Sequence, residues 1–230
     1  MIVSKKSESN TVPKIQLIKC SQPKKCPICR TLCEADDTEE IYVCVFCSFG
    51  IRKIGSSAND AEHEEKNIYE HIAPHLLRQR RLENEYLELM MINGDVINIE
   101  PLGVAPHDSY KIIFKIRTII SPIPTYEDLL ECTLTIPPEY PEVAPAITAN
   151  NTPYPWHVNW FQNGRWCFGA WNREEPLVSY LYRCAKTLQF DPVFTNPNDA
   201  ANNAAIAFCN DNENNKNIIP CDKKTIPTIS

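Results

Sequence analysis

The sequence predicts an α+β domain behind a small cysteine-rich module, and three observations carry that expectation. A strongly periodic helix pattern is followed by a run of strand patterns and then by further helix patterns. Between the strands and the second helix, a long proline- and tryptophan-bearing stretch ends on a single cysteine. Near the N-terminus, two Cys-x-x-Cys pairs stand a short distance apart. The 230 residues allow one sizeable domain plus a small one, and a 43% hydrophobic share is enough for a core.

Composition narrows the class. A net charge of −6 and a pI near 5.4 give no basic footprint for nucleic acid. No apolar run approaches the ~18–20 residues that span a bilayer. The opening MIVSKKSESNTVPK lacks the apolar centre of a signal peptide. Eleven cysteines without an export signal point to metal ligation or catalysis rather than a disulfide scaffold, and to a cytoplasmic protein.

Residues 1–19 are polar and lysine-bearing and read as a flexible N-terminus. Residues 20–55 carry Cys26-Pro-Ile-Cys29 and Cys44-Val-Phe-Cys47, with 14 residues between the pairs. Each knuckle offers two thiolates from one tight turn, and a hairpin between them would bring the pairs together. Cys26, Cys29, Cys44 and Cys47 therefore predict a zinc ribbon with a closed, structural four-sulfur site. Apolar sequence is too scarce here to fold without the metal. A redox dithiol is the alternative, and it lacks the strand–helix context such a motif uses. Cys20 and Cys33 are substitute ligands or bystanders. Residues 56–72 are small and charged and read as a linker, with His63 solvated.

The domain expected over 73–210 opens with a helix at 74–91, with Pro74 in its first turn. Leu76, Leu82, Tyr86, Leu89 and Met90 draw an apolar stripe, with Arg78, Arg80, Arg81, Glu83, Glu85 and Glu88 on the polar sides. Asn93-Gly94-Asp95 ends the helix. Strand patterns follow at 96–102, 110–120 and 129–136, with a short fourth at 146–148.

The stretch 140–167 combines a Tyr-Pro turn, two further X-Pro turns, a His-x-Asn, an Asn-Gly turn and then Cys167. Proline fixes φ and Asn-Gly favours positive φ, so the stretch is a rigid surface loop, and Trp156, Trp160 and Trp166 argue against disorder. A thiol at the end of such a loop can be held beside chosen hydrogen-bond donors, which makes Cys167 a candidate nucleophile. A helix at 174–190 follows, with Glu174, Glu175 and Pro176 at its start and Val178, Leu181, Ala185 and Leu188 inward. Cys184 is a small core side chain there. Asp199 reads as the N-cap of an alanine-rich helix at 200–209. Residues 211–230 read as a disordered tail in which Cys221 is incidental.

Separated motifs in order carry a resemblance. Tyr140-Pro141-Glu142-Val143-Ala144-Pro145 is similar to Tyr-Pro-x-x-Pro-Pro, and His157-Val158-Asn159 to His-Pro-Asn. Asn163-Gly164-Arg165-Trp166-Cys167 is similar to Asn-Gly-x-x-Cys, and Asn196-Pro197-Asn198-Asp199 to an Asn-Pro-Asp-Asp turn. Over roughly residues 74–210 the chain resembles ubiquitin-conjugating enzymes. The resemblance implies their UBC-like fold: an N-terminal helix, an antiparallel meander sheet, an active-site loop and C-terminal helices.

It also implies that Cys167 accepts the C-terminal carboxyl of a ubiquitin-like modifier protein from an adenylating activating enzyme. The carboxyl then passes to a lysine amine of a protein substrate, with or without a ligase. Asn159 would orient the site or donate to the oxyanion, and Asp199 would position and help deprotonate the lysine. Asn196 would hold the opposing loop, and His157 would brace it rather than act as a base. Arg78, Arg80 and Arg81 would meet the activating enzyme. Each role has a plainer counterpart: a buried thiol at Cys167, loop backbone satisfied by Asn159, a helix cap at Asp199, a solvated face for the arginines.

Val158 replaces the family's proline, Glu142 and Ala144 alter the region that partners grip, and Trp171 comes early with Glu175-Pro176 behind it. With the ribbon, these departures imply a divergent prokaryotic relative with its own modifier, of a kind found in bacterial antiviral defence. The alternative is a non-catalytic interaction module that binds a ubiquitin-like protein or its activating enzyme. A peptidase built on Cys167 and His157 would lack a helix-borne nucleophile and a third member.

Overall fold

The computed structural model describes residues 18–20, 29–31, 33–36, 41–44, 50–53, 74–211 and 218–229. They fall into two units. The first holds four short strands: β1 (Ile18–Cys20), β2 (Cys33–Asp36), β3 (Ile41–Cys44) and β4 (Gly50–Lys53). Their order is β1-β4-β3-β2, with β1 parallel to β4 and the other pairs antiparallel. Ile18 and Lys19, expected in a flexible terminus, thus belong to a strand. Cys33 lies opposite Cys44 in the β2–β3 register. Of the four zinc-ligand candidates, Cys26 and Cys47 lie outside the described residues. Cys44 ends β3, and Cys29 sits buried in a turn that groups with the second unit. The linker at 56–72, with His63, also lies outside the described residues.

The second unit is α+β. Helix α1 (Pro74–Ile92) precedes a meander of β5 (Ile97–Leu102), β6 (Ser109–Phe114) and β9 (Leu130–Thr135), with β10 (Ala146–Ala149) completing an antiparallel sheet ordered β10-β9-β6-β5. Alternation does the sorting: Tyr110, Ile112 and Phe114 of β6 point inward, while Ser109, Lys111 and Ile113 face out. In register, Ile112 lies between Ile99 and Cys132. These side chains form one core with Leu82 and Leu89 of α1 and with Leu181, Cys184, Ala185 and Leu188 of α2 (Leu177–Leu188).

The strand expected over 110–120 is interrupted. Lys115 N–H still pairs with the Val96 carbonyl at 2.9 Å in the β5–β6 register, but Arg117 N–H turns to Asp222 Oδ2 at 2.7 Å, so the chain leaves the sheet there. It then forms a separate hairpin, β7 (Thr118–Ile119) with β8 (Tyr126–Glu127), around Pro122 and Pro124.

The charge pattern on α1 is also corrected. Arg81, Glu85 and Glu88, expected on the polar sides, are buried, whereas Leu76 of the expected apolar stripe is 44% exposed. Glu85 Oε1 accepts from Arg81 Nε at 2.6 Å and from the Tyr140 hydroxyl at 2.9 Å. Its Oε2 accepts from Leu177 N–H at 2.8 Å, so a carboxylate from α1 serves the first turn of α2. Arg81 Nη2 donates to the Glu175 carbonyl at 2.8 Å, and Glu88 accepts from Arg30 Nη2 at 3.0 and 2.9 Å. α2 starts at Leu177 rather than at 174, because Pro176 holds extended backbone at its N-cap.

The alanine-rich helix expected at 200–209 is split into a 3-10 turn over Asn203–Ala205 and α3 (Ile206–Asn210). The described part of the tail, 218–229, is packed rather than disordered. Ile226 lies in the core, Cys221 N–H donates to the Gln189 carbonyl at 2.9 Å, and Gln189 Nε2 donates to the Lys224 carbonyl at 2.8 Å. Cys221 Sγ donates to the Arg117 carbonyl at 3.1 Å, so it is a fastening and not an incidental thiol.

Candidate active site

The loop that carries Cys167 is built on the open edge of β10. Trp166 N–H donates to the Ile147 carbonyl at 2.9 Å and Ala149 N–H to the Gly164 carbonyl at 2.8 Å, so residues 164–166 extend the sheet. A tight turn makes this possible. Phe161 N–H donates to the Arg165 carbonyl at 2.8 Å, and Arg165 N–H to Asn163 Oδ1 at 3.1 Å. Gly164 has φ of +85°, and a Cβ there would lie 2.7 Å from Cε1 of Tyr154, so both conformation and space require glycine. Trp160 is buried and its Nε1 donates to the Gly164 carbonyl at 2.8 Å.

Trp166 packs edge-on to Tyr180 of α2, with ring centroids 5.0 Å apart. On the far side of Cys167, Arg183 Nη1 holds the Phe168 carbonyl at 2.9 Å while its Nε and Nη2 grip Glu175 at 2.8 and 2.9 Å. Burial nevertheless keeps the Glu175 carboxyl above its ordinary range. Cys167 is thus fixed by its neighbours on both sides and is itself half-buried. The thiols of Cys132 and Cys184 are fully buried in the core, and burial pushes both upward. Cys221 is pushed up to about 12 by the same cause.

Asn159 is the hub. Its carbonyl accepts from Cys167 N–H at 2.9 Å, and its own N–H donates to His157 Nδ1 at 2.9 Å. Its side chain spans to the opposing loop: Nδ2 donates to the carbonyls of Asn196 at 3.1 Å and Asp199 at 3.3 Å, while Oδ1 accepts from Asn196 N–H at 2.8 Å. The Val158 carbonyl extends this seam by accepting from Ala201 N–H at 2.7 Å and Asn202 N–H at 3.0 Å. The structure therefore joins Asn159, Asn196 and Asp199 directly, and Cys167 and His157 through the Asn159 backbone. The amide donors of Asn159 end on the opposing turn.

Asp199 is exposed at the end of a 3-10 turn over Pro197–Asp199. It does not cap a helix; the Asn196 side chain caps that turn instead, accepting from Asn198 N–H at 3.1 Å. His157 is buried against Phe190, ring centroids 4.2 Å apart, and Phe190 adopts φ of 58°, unusual for an aromatic residue. Its Nε2 faces Thr195 Oγ1 at 3.3 Å. Desolvation pushes the imidazole down to about 3, so it is neutral near pH 7.

Of the three arginines proposed to meet an activating enzyme, Arg81 is fully buried and cannot do so. Arg78 donates to the Pro137 carbonyl at 3.3 Å, and Arg80 pairs with Glu83 at 3.3 Å. Sequence reasoning did not single out Thr195, Phe190 or Arg183. Only Thr195 carried a signal, as a hydroxyl directly before the Asn-Pro-Asn-Asp turn. Among the described residues, no helix is long and apolar enough to cross a membrane, and no group of three or more metal-binding side chains occurs.

No protein-family model and no curated protein matches the chain. Among solved structures, the chain is similar to human ubiquitin-conjugating enzyme E2 G1, at 18% identity over 46% of this chain and 90% of that one, with a TM-score of 0.38. It is also similar to a structure described as a novel ubiquitin-conjugating enzyme, at 18% identity over 61% of this chain and 90% of that one, with a TM-score of 0.44.

Proposed function

We propose that the chain is a conjugating enzyme for a ubiquitin-like protein, with Cys167 as its acyl carrier. One observation carries the reading: a half-buried thiol follows a glycine-dependent turn, and its N–H is tied to an asparagine that also binds the facing Asn196–Asp199 turn. Those residues stand in the order that ubiquitin-conjugating motifs require.

In the first step, Cys167 Sγ attacks the carbonyl carbon of a modifier held as a thioester on an adenylating activating enzyme. The activating enzyme's thiolate leaves, so one thioester bond replaces another and little acid–base machinery is needed. In the second step, a substrate lysine amine attacks, the Cys167 thiolate leaves, and an amide forms as the nitrogen loses a proton. The ammonium, ordinarily near 10.4, must first be deprotonated, which is the work assigned to exposed Asp199. Asn159 and Asn196 hold the two loops at a fixed separation. His157, neutral and buried, braces the turn. A ligase is an optional third partner.

Zinc on Cys26, Cys29, Cys44 and Cys47 is proposed from the spacing and the all-thiol donor set, which suits a closed structural site. A cytoplasmic, prokaryotic enzyme in antiviral defence is the setting proposed for the chain.

Incubation with the activating enzyme, the modifier and ATP should give a thiol-sensitive adduct that is lost on Cys167→Ala. An adduct that survives this substitution excludes Cys167 as carrier. The second reading, a non-catalytic interaction module, draws on the Asn159 amide, whose donors end on carbonyls of the opposing turn. It predicts that Cys167 resists alkylation by iodoacetamide in the native protein.

A further inference from the structure

We propose that Thr195 is a positioning residue for the Cys167 loop: the Asn159 N–H fixes which ring nitrogen of His157 carries the proton, and the Thr195 hydroxyl, accepting from that nitrogen, holds the ring in place against the Asn159 backbone that holds Cys167. The consequence for catalysis rests on the function proposed above, while the chain of bonds belongs to the fold.

The direction of each bond follows from its donors. A backbone N–H can only donate, so His157 Nδ1, 2.9 Å from Asn159 N, presents a lone pair. The ring is neutral, so its one proton sits on Nε2 and is directed at Thr195 Oγ1, 3.3 Å away. Having accepted that proton's bond, the hydroxyl spends its own proton on the Asp191 carbonyl at 2.9 Å. The whole run reads in one sense: Cys167 N–H to the Asn159 carbonyl, Asn159 N–H to His157, His157 Nε2–H to Thr195, Thr195 O–H to Asp191. From Asn159 N–H to Asp191 the bonds form one continuous chain and polarise one another, and Cys167 joins it through the Asn159 backbone.

The far end is firmly held. Asp191 N–H donates to the Lys186 carbonyl at 3.1 Å, and the Asp191 carboxylate pairs with Lys186 Nζ at 3.3 Å just past α2. The opposite tautomer would set Nδ1–H against Asn159 N–H, two donors facing each other beside the Phe190 ring. What the site needs at 195 is therefore a hydroxyl and not merely a side chain of that volume. Valine at this position has the same shape but leaves His157 Nε2–H without its partner, while the Asp191 carbonyl keeps the bond from Phe194 N–H at 3.0 Å.

The test uses the full chain labelled with 15N. Wild-type protein should show His157 protonated at Nε2 and bare at Nδ1, unchanged from pH 7 to pH 5. Thr195→Val should shift the Nε2 resonance and raise hydrogen exchange at the Asn159 and Cys167 amides about tenfold relative to β6 and β9, the worth of one buried neutral hydrogen bond. Thr195→Ser, which keeps the hydroxyl, should restore both signals. The proposal is overturned if wild-type His157 carries its proton on Nδ1 or titrates between pH 7 and pH 5. It is equally overturned if Thr195→Val leaves those two amides at the wild-type rate or accelerates all amides alike. Should Thr195→Val fail to fold, the wild-type spectrum and the match of Thr195→Ser to it decide the matter. None of these measurements uses a modifier, so an absent Cys167 thioester would remove the enzyme reading and leave this inference standing.

Discussion

Glu85 offers the sharpest test of how the second unit is held together. Its carboxylate, at 0% exposure, is the shared acceptor for Arg81 Nε, the Tyr140 hydroxyl and Leu177 N–H, at 2.6, 2.9 and 2.8 Å. It therefore ties α1 to the start of the active-site stretch and to the first turn of α2. In Glu85→Ala these donors lose their acceptor in the interior, and Arg81 keeps only part of its pairing through the Glu175 carbonyl. Removing one partner of a buried ion pair costs about 3–5 kcal/mol. For a unit of this size, that lowers the midpoint of thermal unfolding by about 10 °C. Urea titration followed by tryptophan fluorescence reads this unit specifically, because Trp156, Trp160, Trp166 and Trp171 all belong to it. Arg81→Met combined with Glu85→Leu should recover the part of the loss that comes from the stranded Arg81 charge, and not the part from the Tyr140 hydroxyl and Leu177 N–H, which still lack the Glu85 acceptor. A loss below about 1 kcal/mol in Glu85→Ala, or single-variant losses that simply add in the cycle, would refute this account.

Three further outcomes are expected. Gly164→Ala should cost about 2 kcal/mol in the same titration, from the positive φ and the encounter of its Cβ with Tyr154, and a loss under about 0.5 kcal/mol would contradict the turn geometry. His157 is lowered from 6.5 to about 3 in the folded protein, so between those values the unfolded chain binds a proton that the native state does not. Its contribution is complete above the unfolded value and falls as pH drops, by up to about 1.4 kcal/mol per pH unit; His157→Gln should flatten that part of the stability–pH curve, and an unchanged slope would show that the ring titrates normally. Finally, metal analysis should find one zinc per chain, halved or lost in Cys26→Ser with Cys44→Ser; unchanged zinc would exclude that ligand set.

Much of the second unit was legible because its elements obey simple periods. The alternation in Tyr110–Phe114 and the spacing of Leu82 and Leu89 announce a sheet face and a helix face directly. What escaped was the exception to the rule that charge marks solvent. Arg81 and Glu85 satisfy each other inside, and nothing in a one-dimensional pattern distinguishes them from a solvated pair. Composition misled at the tail for a related reason: its many polar residues outweigh Ile226, yet that one side chain reaches the core. Alanine content suggested one helix after Asp199, where Asn202 and Asn203 divide it into separate turns. At the site, Cys167, Asn159 and Asn196 were legible as motif letters at fixed spacing. Thr195, Phe190 and Arg183 act across 15 to 38 residues of sequence, and only folding reveals what they touch.

The central claim is that Cys167 carries an acyl group, and one pair of substitutions tests it most directly. Wild-type protein incubated with activating enzyme, modifier and ATP should yield an adduct cleaved by dithiothreitol, while Cys167→Ser should yield one that resists dithiothreitol and yields to hydroxide, as an oxyester does. Mass spectrometry should place the modifier's C-terminus on residue 167 in both. An adduct mapped to Cys221 or another residue, or one of the same thiol sensitivity in Cys167→Ser, would contradict the account.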